Sequence, residues 1–105
     1  MKIVAVTACI TGIAHTYMAQ AALEKESKKR GYDILVETQG GMGVENEISQ
    51  EEVDEADIAI LAIAVGIEGE ERFDEKKEEG KLLEVDPSEV IKNPESIFDE
   101  LEKLL

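Results

Sequence analysis

A chain of 105 residues with 43% hydrophobic content supplies one domain and one ordinary core, which leaves no room for a separate binding domain. Its net charge of -14, from 25 acidic against 11 basic residues, repels a phosphate backbone or an anionic leaflet, so nucleic acid and the membrane surface are excluded as direct partners. The single Cys can neither form an internal disulfide nor fill a multi-thiolate zinc site; no metal and no cofactor are expected, and Cys9 is either a small buried hydrophobe or a chemical group.

Residues 2–7 (KIVAVT) form a β-rich run with almost no polar side chain, the pattern of a central parallel strand buried on both faces. The run ends at Cys9. After the break at Thr11 and Gly12, residues Ile13, Tyr17, Met18 and Ala21 recur at helical spacing, with Tyr17, Met18 and Ala21 assigned to the core; Lys28, Lys29 and Arg30 before Gly31 suit a helix C-terminus. Residues 32–37 (YDILVE) read as a second strand, and 38–43 (TQGGMG), with three glycines in six residues, as a tight turn or backbone cradle through which no helix continues. Ser49 followed by Glu52 is a capping box for a short helix to Ala56, after which 57–62 (DIAILA) is another buried strand.

Beyond Val65 the chain turns acidic, with 70–72 opening a short helix, a solvated charge run over 68–81, and an i,i+4 pair between Glu68 and Arg72. Residues 81–85 (KLLEV) form a fourth, weaker strand, and Pro87 and Pro94 open two terminal helices. The expected fold is a single three-layer αβα domain over residues 1–105, with a four-stranded, mostly parallel sheet in the order 2-1-3-4 and a phosphate loop after strand 1. The longest apolar run, over 58–67, is about half of a bilayer span. The N-terminal run lacks the length and processing site of a secretory signal, so a cytoplasmic protein is expected.

In open α/β sheets ligands bind beyond the carboxyl ends of the strands, and the first such position is the run Cys9, Ile10, Thr11, Gly12, Ile13, Ala14, His15, Thr16. Amides of a loop that opens a helix converge there, and the helix N-terminus adds positive potential, so an anion or a thiolate is favoured without any Lys. Cys9 is the candidate nucleophile; Thr11, His15 and Thr16 are candidate donors to phosphoryl oxygens. Taken alone, a Cys that ends an apolar strand is more often core, His15 a surface or capping residue, and Thr16 a backbone-bonding hydroxyl. A nucleotide-hydrolase loop would need a Lys and a second Gly that are absent, and a low-molecular-weight tyrosine phosphatase would need Arg where His15 stands. No Trp is present to sandwich a flavin ring. A non-catalytic anion or flavin-phosphate module, and a phosphatase-like thiol enzyme, stand as alternatives to phosphoryl transfer.

The run Val4-Ala-Val-Thr-Ala-Cys9, then Thr11-Gly-Ile-Ala-His-Thr-Tyr-Met-Ala19, Val36-Glu-Thr-Gln-Gly40, Gly43, Glu45-Asn-Glu47, Ala56-Asp57 and Glu71-Arg-Phe73 resembles the fructose-type enzyme IIB domains of the bacterial phosphoenolpyruvate-dependent sugar phosphotransferase system. The resemblance implies a phosphocarrier: Cys9 would take a phosphoryl group from a phosphohistidine on enzyme IIA. As phosphocysteine it would pass the group to a sugar, fructose giving fructose 1-phosphate, bound by the membrane enzyme IIC. It also implies association with the inner face of the membrane through IIC. Thr38, Gln39, Gly40 and Gly43 are a candidate loop flanking the phosphate or a docking partner, with a plain structural turn as the other reading; Glu45 and Glu47 are expected to be solvated. Two positions depart from the family pattern: Ile10 stands where a Pro follows the nucleophile, and Ala64 where many fructose-specific members carry Asp.

Overall fold

The computed structural model describes residues 1–9, 13–41 and 43–105, with the backbone but not the side chain of Ile13. Ile10, Thr11 and Gly12 of the expected phosphate loop, and Met42 of the glycine-rich turn, lie outside the described residues. Strand β1 (Lys2–Ala8) is buried at every position but its first, which its uninterrupted apolar sequence demands. It runs parallel to β2 (Asp33–Gly40) on one side and β4 (Ile58–Ile63) on the other, and β5 (Leu82–Val85) continues the parallel set beyond β4.

The sheet has five strands in the order β3-β2-β1-β4-β5, not four in the order 2-1-3-4. The additional strand is β3 (Gly43–Glu45), antiparallel to the end of β2, with Gly40 opposite Gly43. The segment read as a turn or cradle is therefore largely strand: Thr38, Gln39 and Gly40 prolong β2 beside β1, and the chain folds back at Gly43, whose φ of +87° favours glycine. Edge pairing of this kind satisfies the outward N–H and C=O groups of Thr38 to Gly40, a gain invisible in side-chain periodicity.

Helices cover both faces, as the three-layer expectation required. On one face α1 (Ile13–Arg30), α4 (Pro87–Lys92) and α5 (Pro94–Lys103) close a core of Ile3, Ala5, Leu23, Ile60, Val90 and Phe98 among others. On the other, α2 (Gln50–Glu55) and a 3-10 helix (Glu70–Phe73), continued by α3 (Asp74–Glu78), cover Val4, Val6, Val53, Leu61 and Phe73. Pro87 and Pro94 occupy the first turns of α4 and α5, where a missing N–H costs nothing, and Asp86 caps α4 by accepting from the Ser88 amide at 2.8 Å. Ser49 and Glu52 form the expected reciprocal capping box on α2.

Helix α1 is rotated from its expected phase. Thr16, Ala19, Leu23, Glu26 and Ser27 are buried, whereas Met18 is 50% exposed, Ala21 is exposed and Tyr17 only half-buried. Small residues on the buried side let the helix lie close to β1 and β2, and that closeness outweighs burial of the larger Met. The helix ends as its sequence announces: Gly31 at φ +77° follows Arg30, and the amides of Gly31 and Tyr32 return to the carbonyls of Lys28 and Ser27. Arg30 then binds Glu26 at 2.7 Å, Asp99 at 3.0 Å and Glu102 at 3.0 Å, and stacks over Phe98, tying α1 to α5.

Candidate functional site

Cys9 is the residue that follows β1, at the carboxyl end of the sheet, and it is half-buried. Its predecessor Ala8 lies in register between Gln39 of β2 and Ile63 of β4, and the Ala8 carbonyl accepts from the Ala64 amide at 3.0 Å. Four residues after Cys9 the amides of α1 begin, and no acidic side chain in the first turn offsets their positive end.

Below that turn, Thr7 Oγ1 donates to the Thr16 carbonyl at 3.1 Å. Thr16 itself is fully buried, and its Oγ1 meets no hydrogen-bond partner among the described residues. It sits 3.8 Å from the point where a Cβ on Gly40 would project, so the end of β2 reaches the first turn of α1. Ala14 and His15 are exposed on the same turn. His15 is near enough to the head of α4 that its charge, after the stronger hydrogen bonds from the Ser88 side chain and amide, helps hold the Asp86 carboxyl below its ordinary value.

Of the candidate flanking residues, Gln39 and Gly40 border the Cys9 end of β1, Thr38 is buried one position earlier, and Gly43 begins the return strand. Sequence reading missed what binds this border together. Glu37, fully buried in β2, accepts two hydrogen bonds from Arg72, at 2.8 and 2.9 Å, one from the Ile48 amide at 2.7 Å and one from Gln39 Nε2 at 2.7 Å. Burial pushes the Glu37 carboxyl upward, but the Arg72, Ile48 and Gln39 hydrogen bonds outweigh it and hold the group below its ordinary value.

Arg72 is not the surface partner of the Glu68 carboxylate that its spacing suggested. It donates to the Glu68 carbonyl at 3.2 Å, the Gly69 carbonyl at 2.7 Å and the Ile48 carbonyl, while its charge goes to Glu37. Nor is the 68–81 run wholly solvated, since Phe73 and Lys76 are buried within it. Two signals pointed here: an acid directly after the apolar stretch Ile34-Leu-Val36 of a strand beside the central one, which needs a partner if buried, and a single cation in the stretch Glu70-Glu-Arg-Phe73.

Tyr17 donates its hydroxyl to the Glu45 carboxylate, joining α1 to β3, so Glu45 is engaged rather than solvated. Beside Ala64 a groove of about 500 Å³ opens at the ends of β4 and β5, lined by 63–66 together with Glu70, Glu84, Val85 and Asp86. Its three carboxylates disfavour a resident anion in that groove. Among the described residues no group of three or more His, Cys, Asp and Glu side chains converges as a metal site requires, and no helix is long and apolar enough to cross a membrane.

Known proteins resemble this chain in sequence and in fold. Residues 4–100 match the family described as the lactose/cellobiose-specific IIB subunit of the PTS system. The fructose-like EIIB component 2 of Escherichia coli K12 is 46% identical over 101 residues, spanning 96% of this chain and 92% of its own. The fructose-like EIIBC component of the same organism is 47% identical over 103 residues, spanning 96% of this chain but 20% of its own. Among solved structures, a domain of the fructose-specific IIABC component from Borrelia burgdorferi superimposes with a TM-score of 0.85 at 47% identity, over 97% of this chain and 93% of that one. The chain belongs to the IIB family of the phosphotransferase system, the phosphotransfer components of sugar transport.

Proposed function

We propose that this domain, residues 1–105, is a phosphocarrier in which Cys9 takes a phosphoryl group from a phosphohistidine of enzyme IIA and delivers it to a sugar held by the membrane enzyme IIC. The thiolate sulfur attacks phosphorus as the P–N bond to the donor imidazole breaks, and the imidazole leaves with a proton. In the second step a sugar hydroxyl attacks the same phosphorus, the S–P bond breaks, and the hydroxyl proton is lost to the acceptor's site. The observation that carries this reading is the half-buried Cys9 directly after the central strand, four residues ahead of a helix whose first turn holds no acid.

In this reading the run from Ile10 to Thr16 cradles the phosphoryl oxygens through backbone amides, with the Thr16 hydroxyl, buried and meeting no hydrogen-bond partner among the described residues, as one donor. Thr38, Gln39, Gly40 and Gly43 form the wall on the β2 side. His15, exposed beside Asp86, meets the incoming partner. Fructose, yielding fructose 1-phosphate, is the acceptor that the names of the relatives favour. A relative named EIIBC supports a IIC partner, and with it a place at the cytoplasmic face of the membrane. A non-catalytic anion or flavin-phosphate module and a phosphatase-like thiol enzyme explain the loop, but neither explains membership of a family of phosphotransfer subunits.

The test is incubation with phosphorylated cognate IIA. Wild-type protein should gain one acid-stable phosphate that is absent from Cys9→Ser and is discharged on adding IIC membranes with sugar. Equal labelling of Cys9→Ser would overturn the assignment.

A further inference from the structure

Cys9 is bordered by backbone on two sides, the end of β2 and the segment that follows β4. Past Ala64 that second segment has left the sheet, yet it is held. Gln39 Nε2 donates to the Glu68 carbonyl at 2.9 Å, and Gln39 Oε1 accepts from the Glu68 amide at 2.8 Å. A side-chain amide that serves both backbone groups of one residue replaces the neighbouring strand that the segment lacks. Because β1 lies between β2 and β4, this clamp reaches across the end of β1 at the level where Ala8 passes into Cys9.

The clamp has a fixed orientation. Gln39 Nε2 also donates to Glu37 Oε2 at 2.7 Å, and an ionised carboxylate only accepts, so the amide cannot reverse. Glu37 is held in turn by Arg72, whose remaining N–H groups take the carbonyls of Ile48, Glu68 and Gly69. Gly69 stands at φ +72°, where a side chain is strained, and a Cβ there would fall 2.7 Å from Arg72 Nε and push the guanidinium from its place. Glu37, Gln39, Glu68, Gly69 and Arg72 thus form one bracket.

We propose that Gln39 is a positioning residue for phosphoryl transfer at Cys9, closing a bracket across the end of β1 that keeps residues 64–69 as a preset wall beside the thiol. It touches no reacting atom. Its effect is to remove the reorganisation that a loose wall would require when the phosphoryl charge arrives. The inference rests on the phosphocarrier reading above.

Two variants test it. Gln39→Met keeps the length and loses every hydrogen bond. Gln39→Glu keeps the acceptor for the Glu68 amide but sets a carboxylate against Glu37 and the Glu68 carbonyl. Both should fold, and at neutral pH both should slow phosphoryl transfer from phosphorylated IIA by roughly 10- to 100-fold, the loss that an ångström-scale misplacement brings. On lowering the pH from about 8 to about 5, Gln39→Glu should regain rate as its carboxyl takes a proton and donates again, while Gln39→Met stays slow. The charges around that carboxyl are Glu37 on its own strand and Arg72 from the 3-10 helix, on which Glu47 and Glu71 act in turn.

A second readout needs no donor protein: the ratio of Cys9 alkylation by iodoacetate to that by iodoacetamide should fall in both variants as the anion site loosens. In wild-type protein the Glu68 amide should be protected from hydrogen exchange, whether or not the variants fold. The proposal is overturned if either variant matches wild type in both rate and alkylation ratio, or if the wild-type Glu68 amide exchanges as an open one. Lack of any Cys9 phosphate on wild type would instead remove the phosphocarrier reading, and the alkylation ratio would still decide whether Gln39 shapes the anion site.

Discussion

Arg72 grips the buried carboxylate of Glu37 with two nitrogens, Nη1 on Oε1 at 2.8 Å and Nη2 on Oε2 at 2.9 Å, across 35 positions of sequence. A parallel pair of charge-assisted bonds fixes direction as well as distance. Through it the end of β2, the Ile48 turn and the segment after β4 become one rigid rim on the α2 side of the Cys9 position.

Removing one partner should be costly. Arg72→Met leaves Glu37 as an unpaired buried acid and should destabilise the fold by about 3–5 kcal/mol, whereas replacing both members by apolar residues of similar size should recover much of that loss. Urea unfolding of the two single variants and the double variant measures the difference. Equal stability of Arg72→Met and wild type would show that the pair carries no net coupling.

The same pair sets an acid limit. Glu37 has a folded-state pKa below its unfolded one, so the unfolded chain binds the proton first as pH falls. Its contribution is therefore complete above the ordinary carboxylate value, near pH 4.3, and disappears as pH drops through the depressed folded value. Glu37→Gln should lower stability at neutral pH and flatten the acid limb of the stability profile. Denaturation midpoints taken in steps below about pH 5 read this out.

Thr16 offers a case where stability and activity should part. Its hydroxyl is buried without a partner among the described residues, so Thr16→Val removes a desolvated group and should leave stability unchanged or raise it by up to about 1 kcal/mol. If the hydroxyl serves the phosphoryl oxygens, the same variant should accept phosphate from IIA more slowly. Thermal melts and phosphorylation rates on one preparation give both numbers.

Two glycines near the site should respond differently to alanine. At Gly40 the added methyl would meet Thr16 Oγ1 at 3.8 Å, an ordinary contact, so Gly40→Ala should change stability by less than about 0.5 kcal/mol. At Gly69 the backbone is left-handed and the methyl would fall 2.7 Å from Arg72 Nε; Gly69→Ala should cost about 1–3 kcal/mol and loosen the Glu37 bracket. Melting temperatures of the two variants, compared side by side, check the contrast.

By itself the sequence determined which stretches become the parallel strands and the covering helices, because apolar runs, glycine stops, the Ser49 and Glu52 capping box and the two prolines act over a few residues. It also determined that Cys9 follows the first strand and precedes a helix, the part of the candidate site that depends only on chain order. Only the tertiary structure decided that Glu37 meets Arg72, that Gln39 spans β1 to reach Glu68, that Tyr17 reaches Glu45, and that β3 joins the sheet edge. It also turned α1 so that Ala19 and Leu23, rather than Met18 and Ala21, face the sheet. Such partners lie tens of residues apart along the chain, and side-chain periodicity encodes which face an element buries but not which polar group waits on the neighbouring one. Cys9 is thus legible as a residue in a place, while the rim around it exists only once the sheet has closed.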